Sequence, residues 1–229
     1  MATILITGAT GGLGTSVVDL LLKNQNKVIA FVHSEESKKK LPVHVNLFAE
    51  VADLSDEQSV AESIEKIITE FETIDAAVLL AGGYAGGDIV STSVKDIQEQ
   101  VELNFTTSFT VVKAVLSYFI KNKKGRIILT GSQPPLMPAK AKYSVAYTLS
   151  KSLIFQLADI VNEETKGKDI VTTVIVPSTI DTAANRKAMP DADVTKWVKP
   201  EQIAEAIQFI LSDKASAWRE PIIKLYNRS

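Results

Sequence analysis

The 229-residue chain contains no cysteine and only two histidines, His33 and His44. Disulfides, thiol nucleophiles and cysteine-ligated metals are thereby excluded, and two imidazoles are too few to suggest a zinc centre, so no metal site is expected. Charge of one sign is not in excess either: 25 Lys and Arg against 27 Asp and Glu give a net charge of -2. With both signs mixed along the chain there is no basic stripe to neutralise phosphates, and nucleic acid is not an expected partner. Long apolar runs are also lacking. None approaches the roughly 20 residues that cross a bilayer, and the apolar start at Thr3 to Thr7 is too short for a leader and lacks the basic residues that precede one. No membrane association is expected, and the cytoplasm is the expected compartment.

What remains is a chain that is 45% hydrophobic, enough for one substantial core, and a single domain over residues 1–229 is the starting expectation. Short β-branched runs alternate with longer segments of helical apolar spacing, the pattern of repeated βαβ units. The runs at Thr3 to Thr7, Lys27 to Val32, His44 to Glu50, Ala76 to Ala81, Arg126 to Thr130, Val171 to Val176 and Ile222 to Leu225 read as strands. Helices are expected at Gly12 to Asn24, Asp56 to Phe71, Val94 to Lys121, Ser144 to Thr165 and Pro200 to Ser212, with Ser55 and Asp56 placed to cap and Pro200 suited to a first helical position. Right-handed crossovers turn this order into an α/β, Rossmann-type, doubly wound parallel sheet of about seven strands with helices on both faces. Ligands would bind at the carboxyl ends of its strands.

One turn carries the first chemical signal. Thr7-Gly8-Ala9-Thr10-Gly11-Gly12-Leu13-Gly14 follows the first strand and opens the first helix. Glycines permit close backbone approach, and unpaired N–H groups at a helix N-terminus favour a pyrophosphate. A second signal is Tyr147-Thr148-Leu149-Ser150-Lys151. Residues four apart share a helix face, so phenol and ammonium would reach one cleft, where the ammonium is expected to lower the phenol toward the working range of proton transfer.

In glycine spacing and in the order of its later segments, nearly the whole chain resembles the short-chain dehydrogenases/reductases. The resemblance implies a small-molecule oxidoreductase using a nicotinamide dinucleotide, with Tyr147 and Lys151 as its proton-transfer pair, Ser132 orienting the substrate and Asn104 supporting the lysine. Fifteen positions separate Ser132 from Tyr147, about two more than the family pattern leads one to expect. Ser132 is therefore either the orienting serine or an idle loop hydroxyl. The cofactor would meet Gly8, Thr10, Gly11, Gly12, Leu13 and Gly14 at its phosphates. Asp53 and Leu54 match the adenine-contacting position, although Asp53 equally suits a helix cap. Ala81, Gly82 and Gly83 match the turn after the fourth strand, with the family's asparagine missing, and Pro177, Ile180 and Thr182 match the segment that meets the nicotinamide.

At the end of the second strand the acid that would bind a 2'-hydroxyl is absent, and His33 follows Val32. This points to NADP(H), with NAD(H) as the alternative. Two loops, Ala81 to Gly87 and Asp181 to Asp193, further resemble those of the dihydropteridine reductases. That likeness implies Tyr84 stacked on a flat ring, Tyr143 lining the cleft or packing at its rim, and a lid at about 181–199. The apolar excess on the helices Val94 to Lys121 and Ser144 to Thr165 implies, with the family's twofold packing, a homodimer or homotetramer. A binding protein that senses NAD(P) without turnover is the alternative function.

Overall fold

The computed structural model describes residues 1–219 and 221–228. Seven parallel strands form one sheet: β1 (Thr3–Thr7), β2 (Lys27–Val32), β3 (Leu47–Val51), β4 (Ala76–Leu79), β5 (Lys124–Thr130), β6 (Asp169–Pro177) and β7 (Ile222–Leu225). Their spatial order is β3-β2-β1-β4-β5-β6-β7. The strand order therefore reverses between β1 and β4, and a crevice opens at the carboxyl ends of those strands, where doubly wound sheets bind ligands. Every residue of β1 and β4 is buried, as strands covered on both faces require.

The helices are α1 (Gly12–Lys23), α2 (Glu35–Lys38), α3 (Glu57–Phe71), α4 (Val94–Val101), α5 (Thr107–Asn122), α6 (Pro138–Ala141), α7 (Val145–Glu164), α8 (Ala183–Ala188) and α9 (Pro200–Ile210). Two apolar layers sandwich the sheet. On one face Val60, Val111, Phe119 and Ile154 of α3, α5 and α7 meet Leu5, Leu79 and Ile127. On the other, Val17 and Leu21 of α1 and Ile203 and Ile207 of α9 meet Ile4, Ile6 and Val78. At about 25 cal/mol per Å² of apolar area removed from water, these layers supply the main driving force for the fold.

The expected strands are all present, β1, β2 and β7 with the expected ends and β3 to β6 with altered ones. β3 starts at Leu47 rather than His44, because His44 Nδ1 accepts from the Asn46 N–H in a local turn and Val43 and Val45 lie outside the sheet, fully exposed. The expected helix Val94 to Lys121 is broken by a π-turn at Glu102–Thr106. By length and composition Val94–Asn122 would suffice to cross a membrane, a stretch that a search for uninterrupted apolar residues passes over. In the fold its Val111, Val112, Val115 and Phe119 are buried against the sheet. At α3 the cap is Asp56, whose carboxylate accepts from the Gln58 N–H at 2.9 Å. Ser55 instead donates to Asp53 at 2.6 Å.

Candidate active site

Gly8 begins the turn after β1 with φ 69, a conformation that glycine adopts freely, and a Cβ there would stand 2.9 Å from the Ala81 backbone nitrogen. The turn thus presses against the residues that follow β4, and the Thr7 hydroxyl fastens it by accepting from the Ala81 N–H at 3.2 Å. At the start of α1, Gly11 offers no side-chain cap and no acidic residue enters the first turn. The first N–H groups of a 12-residue helix therefore face the crevice without a competing carboxylate. This backbone cradle fits a phosphate group.

A cavity of about 900 Å³ extends from this turn and collects several residues expected to hold a dinucleotide: Gly8, Thr10, His33, Asp53, Leu54 and Ala81. Of the two roles open to Asp53, the helix cap belongs to Asp56. The Asp53 carboxylate closes a tight turn on Ser55, whose N–H and hydroxyl hold it below the usual carboxylate range. His33 stands 3.0 Å from the Ser37 hydroxyl, and Ser34 caps α2. Leu13 is different: its side chain packs in the core under the sheet, so only its backbone faces the turn. Sequence reasoning missed the opposite wall, where Gln98, Glu99, Glu102 and Leu103 line the cavity from α4 and the π-turn.

Asn104, at the centre of that π-turn, is fully buried. Its Oδ1 accepts from the Gly83 N–H at 3.0 Å, while its Nδ2 lies within hydrogen-bond distance of the Gly83 carbonyl, Gln100 and Ser150. The side chain thus ties the turn after β4 to α7. A Cβ at Gly82 would stand 2.5 Å from Asn104 Oδ1 and 3.3 Å from Lys151 Nζ, which places amide, glycine and ammonium together.

Lys151 is buried and donates to the Thr130 carbonyl at 2.9 Å. Loss of hydration brings its pKa down to about 8. Because a charged lysine is penalised in the folded chain and not in the unfolded one, the penalty is complete below pH 8. It fades as pH rises to the unfolded value near 10.5. Relative to Lys151→Met, the wild type is expected to gain up to about 3 kcal/mol of unfolding free energy across that window. Denaturant titrations of both proteins at several pH values measure this; two curves that stay parallel would contradict it.

Tyr147 lies one turn before Lys151 on α7, half-buried, with its ring edge-on to Tyr84 at a centroid distance of 5.0 Å. Burial pushes the phenol above its ordinary value. The Ser132 hydroxyl beside it offsets part of the rise, and Tyr84 adds to it. The expectation that Lys151 would lower the phenol is thus not met, because the ammonium is turned to the Thr130 carbonyl. A raised phenol keeps its proton at neutral pH and stays a competent donor. The Ser132 hydroxyl is itself buried and closes no hydrogen bond among the described residues, so it is free to serve a ligand.

Ser132 and Tyr147 share a second cavity, of about 430 Å³, with Tyr84, Tyr143, Pro177 and Ile180. Between Ser132 and Tyr147 the chain adds a 3₁₀ turn, Pro134–Leu136, and the short α6, each opened by a proline, and this accounts for the long spacing. Thr182 caps α8, and its methyl lies where a Cβ on Gly12 would stand, 2.8 Å away. The segment after β6 is therefore seated on the glycine turn. Lys140, Gln133, Asn185 and Met189 also line this cavity. Their separation in the sequence left no signal that they converge.

The comparisons with known proteins bear on the family and the fold. A family model described as short chain dehydrogenase matches residues 2–193. Among curated relatives, the 3-oxoacyl-acyl-carrier-protein reductase of Buchnera aphidicola is 27% identical over 224 residues, covering 93% of this chain and 91% of its own. The glucose 1-dehydrogenase 2 of Bacillus subtilis is 25% identical, covering 93% and 89%. Among solved structures, ElxO with NADP bound superposes with a TM-score of 0.91 at 22% identity, over 98% of this chain and 96% of that one. A short-chain dehydrogenase/reductase family oxidoreductase from Burkholderia thailandensis gives 0.87 at 23% identity, over 98% and 90%.

Proposed function

The chain belongs to the short-chain dehydrogenase family, and from that premise we infer a reductase in which Tyr147 gives a proton to a C=O or C=N substrate. One observation carries the reading: Tyr147 and Lys151 are one turn apart on α7, and both reach the end of β5, at Ser132 and at the Thr130 carbonyl. A nicotinamide dinucleotide, when bound, supplies the hydride. Gly8, Thr10, Gly11, Gly12 and Gly14 would hold its phosphates, while Asp53, Leu54 and Ala81 line the adenosine side. Pro177, Ile180 and Thr182 would face the nicotinamide.

Ser132 orients the substrate oxygen or nitrogen toward the Tyr147 hydroxyl, whose proton passes to it as negative charge develops there. To stabilise the phenolate left behind, the Lys151 ammonium turns from the Thr130 carbonyl toward Tyr147, one turn away on α7. Asn104 keeps the Gly82–Gly83 turn and α7 in register with one another. The missing acid after Val32, together with His33 on the cavity wall, supports NADP(H) over NAD(H). Tyr84 and Tyr143 give the substrate cavity two aromatic walls, which favours a flat substrate such as a quinonoid dihydropterin.

A steady-state comparison of NADPH and NADH against a dihydropterin and a panel of ketones and aldehydes tests the reading. Turnover favouring NADPH is expected. Tight cofactor binding with no turnover of any substrate would instead leave a dinucleotide-sensing protein.

Leu149, Leu153 and Ile160 stand exposed along α7, and Phe109 along α5. Stripes of this kind favour a twofold contact with a second copy. Light scattering at micromolar concentration is expected to give the mass of a dimer or tetramer; a monomer would remove this part of the reading.

A further inference from the structure

Among the residues lining the substrate cavity, Lys140 alone is charged. Its ammonium donates to the Gln133 Oε1 at 2.5 Å. Gln133 is buried and follows Ser132 directly in the chain. A neutral amide positions the cation without cancelling its charge, and an ammonium has three donors, so two remain for a ligand. No carboxylate among the described residues pairs with Lys140, whereas Arg186 at the root of the lid is already held by Asp181 through two hydrogen bonds. A second cation, Lys142, lies over the Tyr143 ring 4.8 Å from its centroid, on the same rim. This part of the cavity is therefore positive and unneutralised among the described residues, and such a wall concentrates anions.

We propose that this cavity takes a carbonyl substrate bearing an anionic group, a carboxylate or a phosphate, which Lys140 binds while Ser132 and Tyr147 hold the carbonyl. The proposal rests on the reductase reading above and adds to it the charge of the substrate. Because Gln133 adjoins Ser132, the anion belongs a few bonds from the carbonyl rather than at the end of a long chain. A neutral pterin would leave Lys140 unused, so the same assays rank the two substrate classes.

The test uses aryl keto acids, phenylglyoxylate and benzoylpropionate, beside their methyl esters and an aryl ketone phosphonate, all with NADPH. Wild type is expected to favour the better-fitting acid over its ester by about tenfold in kcat/KM, a typical effect of one charge-assisted contact. Lys140→Gln should lower kcat/KM for the acid about tenfold more than for its ester and so remove that preference, and Lys140→Arg should restore most of it. The phosphonate and carboxylate arms distinguish the two sources of charge. Equal losses for acid and ester in Lys140→Gln, or no acid preference in wild type, would overturn the proposal.

Binding separates this outcome from failure of the reductase reading. Calorimetry in the presence of NADPH should show phenylbutyrate binding about tenfold more tightly than phenylbutyramide, with the difference lost in Lys140→Gln. Equal affinities would reject the anion site even if no ketone were turned over. An acid preference in binding with no turnover would keep the anion site and reject the reductase.

Discussion

Tyr147→Phe is expected to lower kcat by about a hundred- to ten-thousandfold while leaving dinucleotide affinity unchanged, the loss typical of removing a positioned proton donor. The substitution is clean. The ring keeps its edge contact with Tyr84 and its place on α7, and the phenol's polar surroundings are the Ser132 and Tyr84 hydroxyls. Because burial raises the phenol, the wild-type donor remains protonated at neutral pH. The variant therefore loses the acid itself rather than a fraction of it. Single-turnover measurements with NADPH separate chemistry from binding; a kcat within about threefold of wild type would remove Tyr147 from the mechanism.

The second large effect is expected at Gly14. A Cβ there would stand 2.0 Å from the Gly8 carbonyl oxygen and 2.8 Å from the Ala9 Cα. Both neighbours are backbone, and both belong to the turn that faces the cofactor, so no side chain can swing aside. Gly14→Ala is expected to cost about 4 kcal/mol of stability or more and to abolish dinucleotide binding in whatever fraction folds. Gly12→Ala is the companion measurement, since its Cβ would meet only the Thr182 side chain, at 2.8 Å. Thermal unfolding and cofactor titration of both variants should rank Gly14 as far the more severe. Equal, mild effects would mean that the turn is not the rigid cradle described above.

Much of the fold was legible in the residues because its signals are local. β1, β2 and β7 lie where the β-branched runs placed them, and the glycine spacing marked the turn between β1 and α1. Pro200 opens α9 as a first-position proline should. What stayed hidden depends on groups distant in sequence. Apolar periodicity does not register one extra residue in a helical turn, so the widened turn around Asn104 was read as ordinary helix. The cap of α3 was narrowed to Ser55, Asp56 or Asp53, and only geometry assigns it to Asp56. The direction of the Tyr147 shift was misread because neither the loss of hydration nor the turning of the Lys151 ammonium to the Thr130 carbonyl can be inferred from spacing. Lys140 went unnoticed because its meeting with Gln133 is made by a proline-bounded loop whose path the sequence does not reveal.

The π-turn also sets a phase. Each residue advances a helix by about 100°, so the added residue rotates everything after Thr106 by roughly that angle relative to α4. Deleting any single residue within 102–106 would rewind the segment regularly. Asn104 would then swing away from Gly83, or Val111, Val115 and Phe119 would turn off the sheet. The irregularity is thus a clutch between two demands on one helix, engaging the cleft at one end and the core at the other, and neither grip survives if the winding is made perfect.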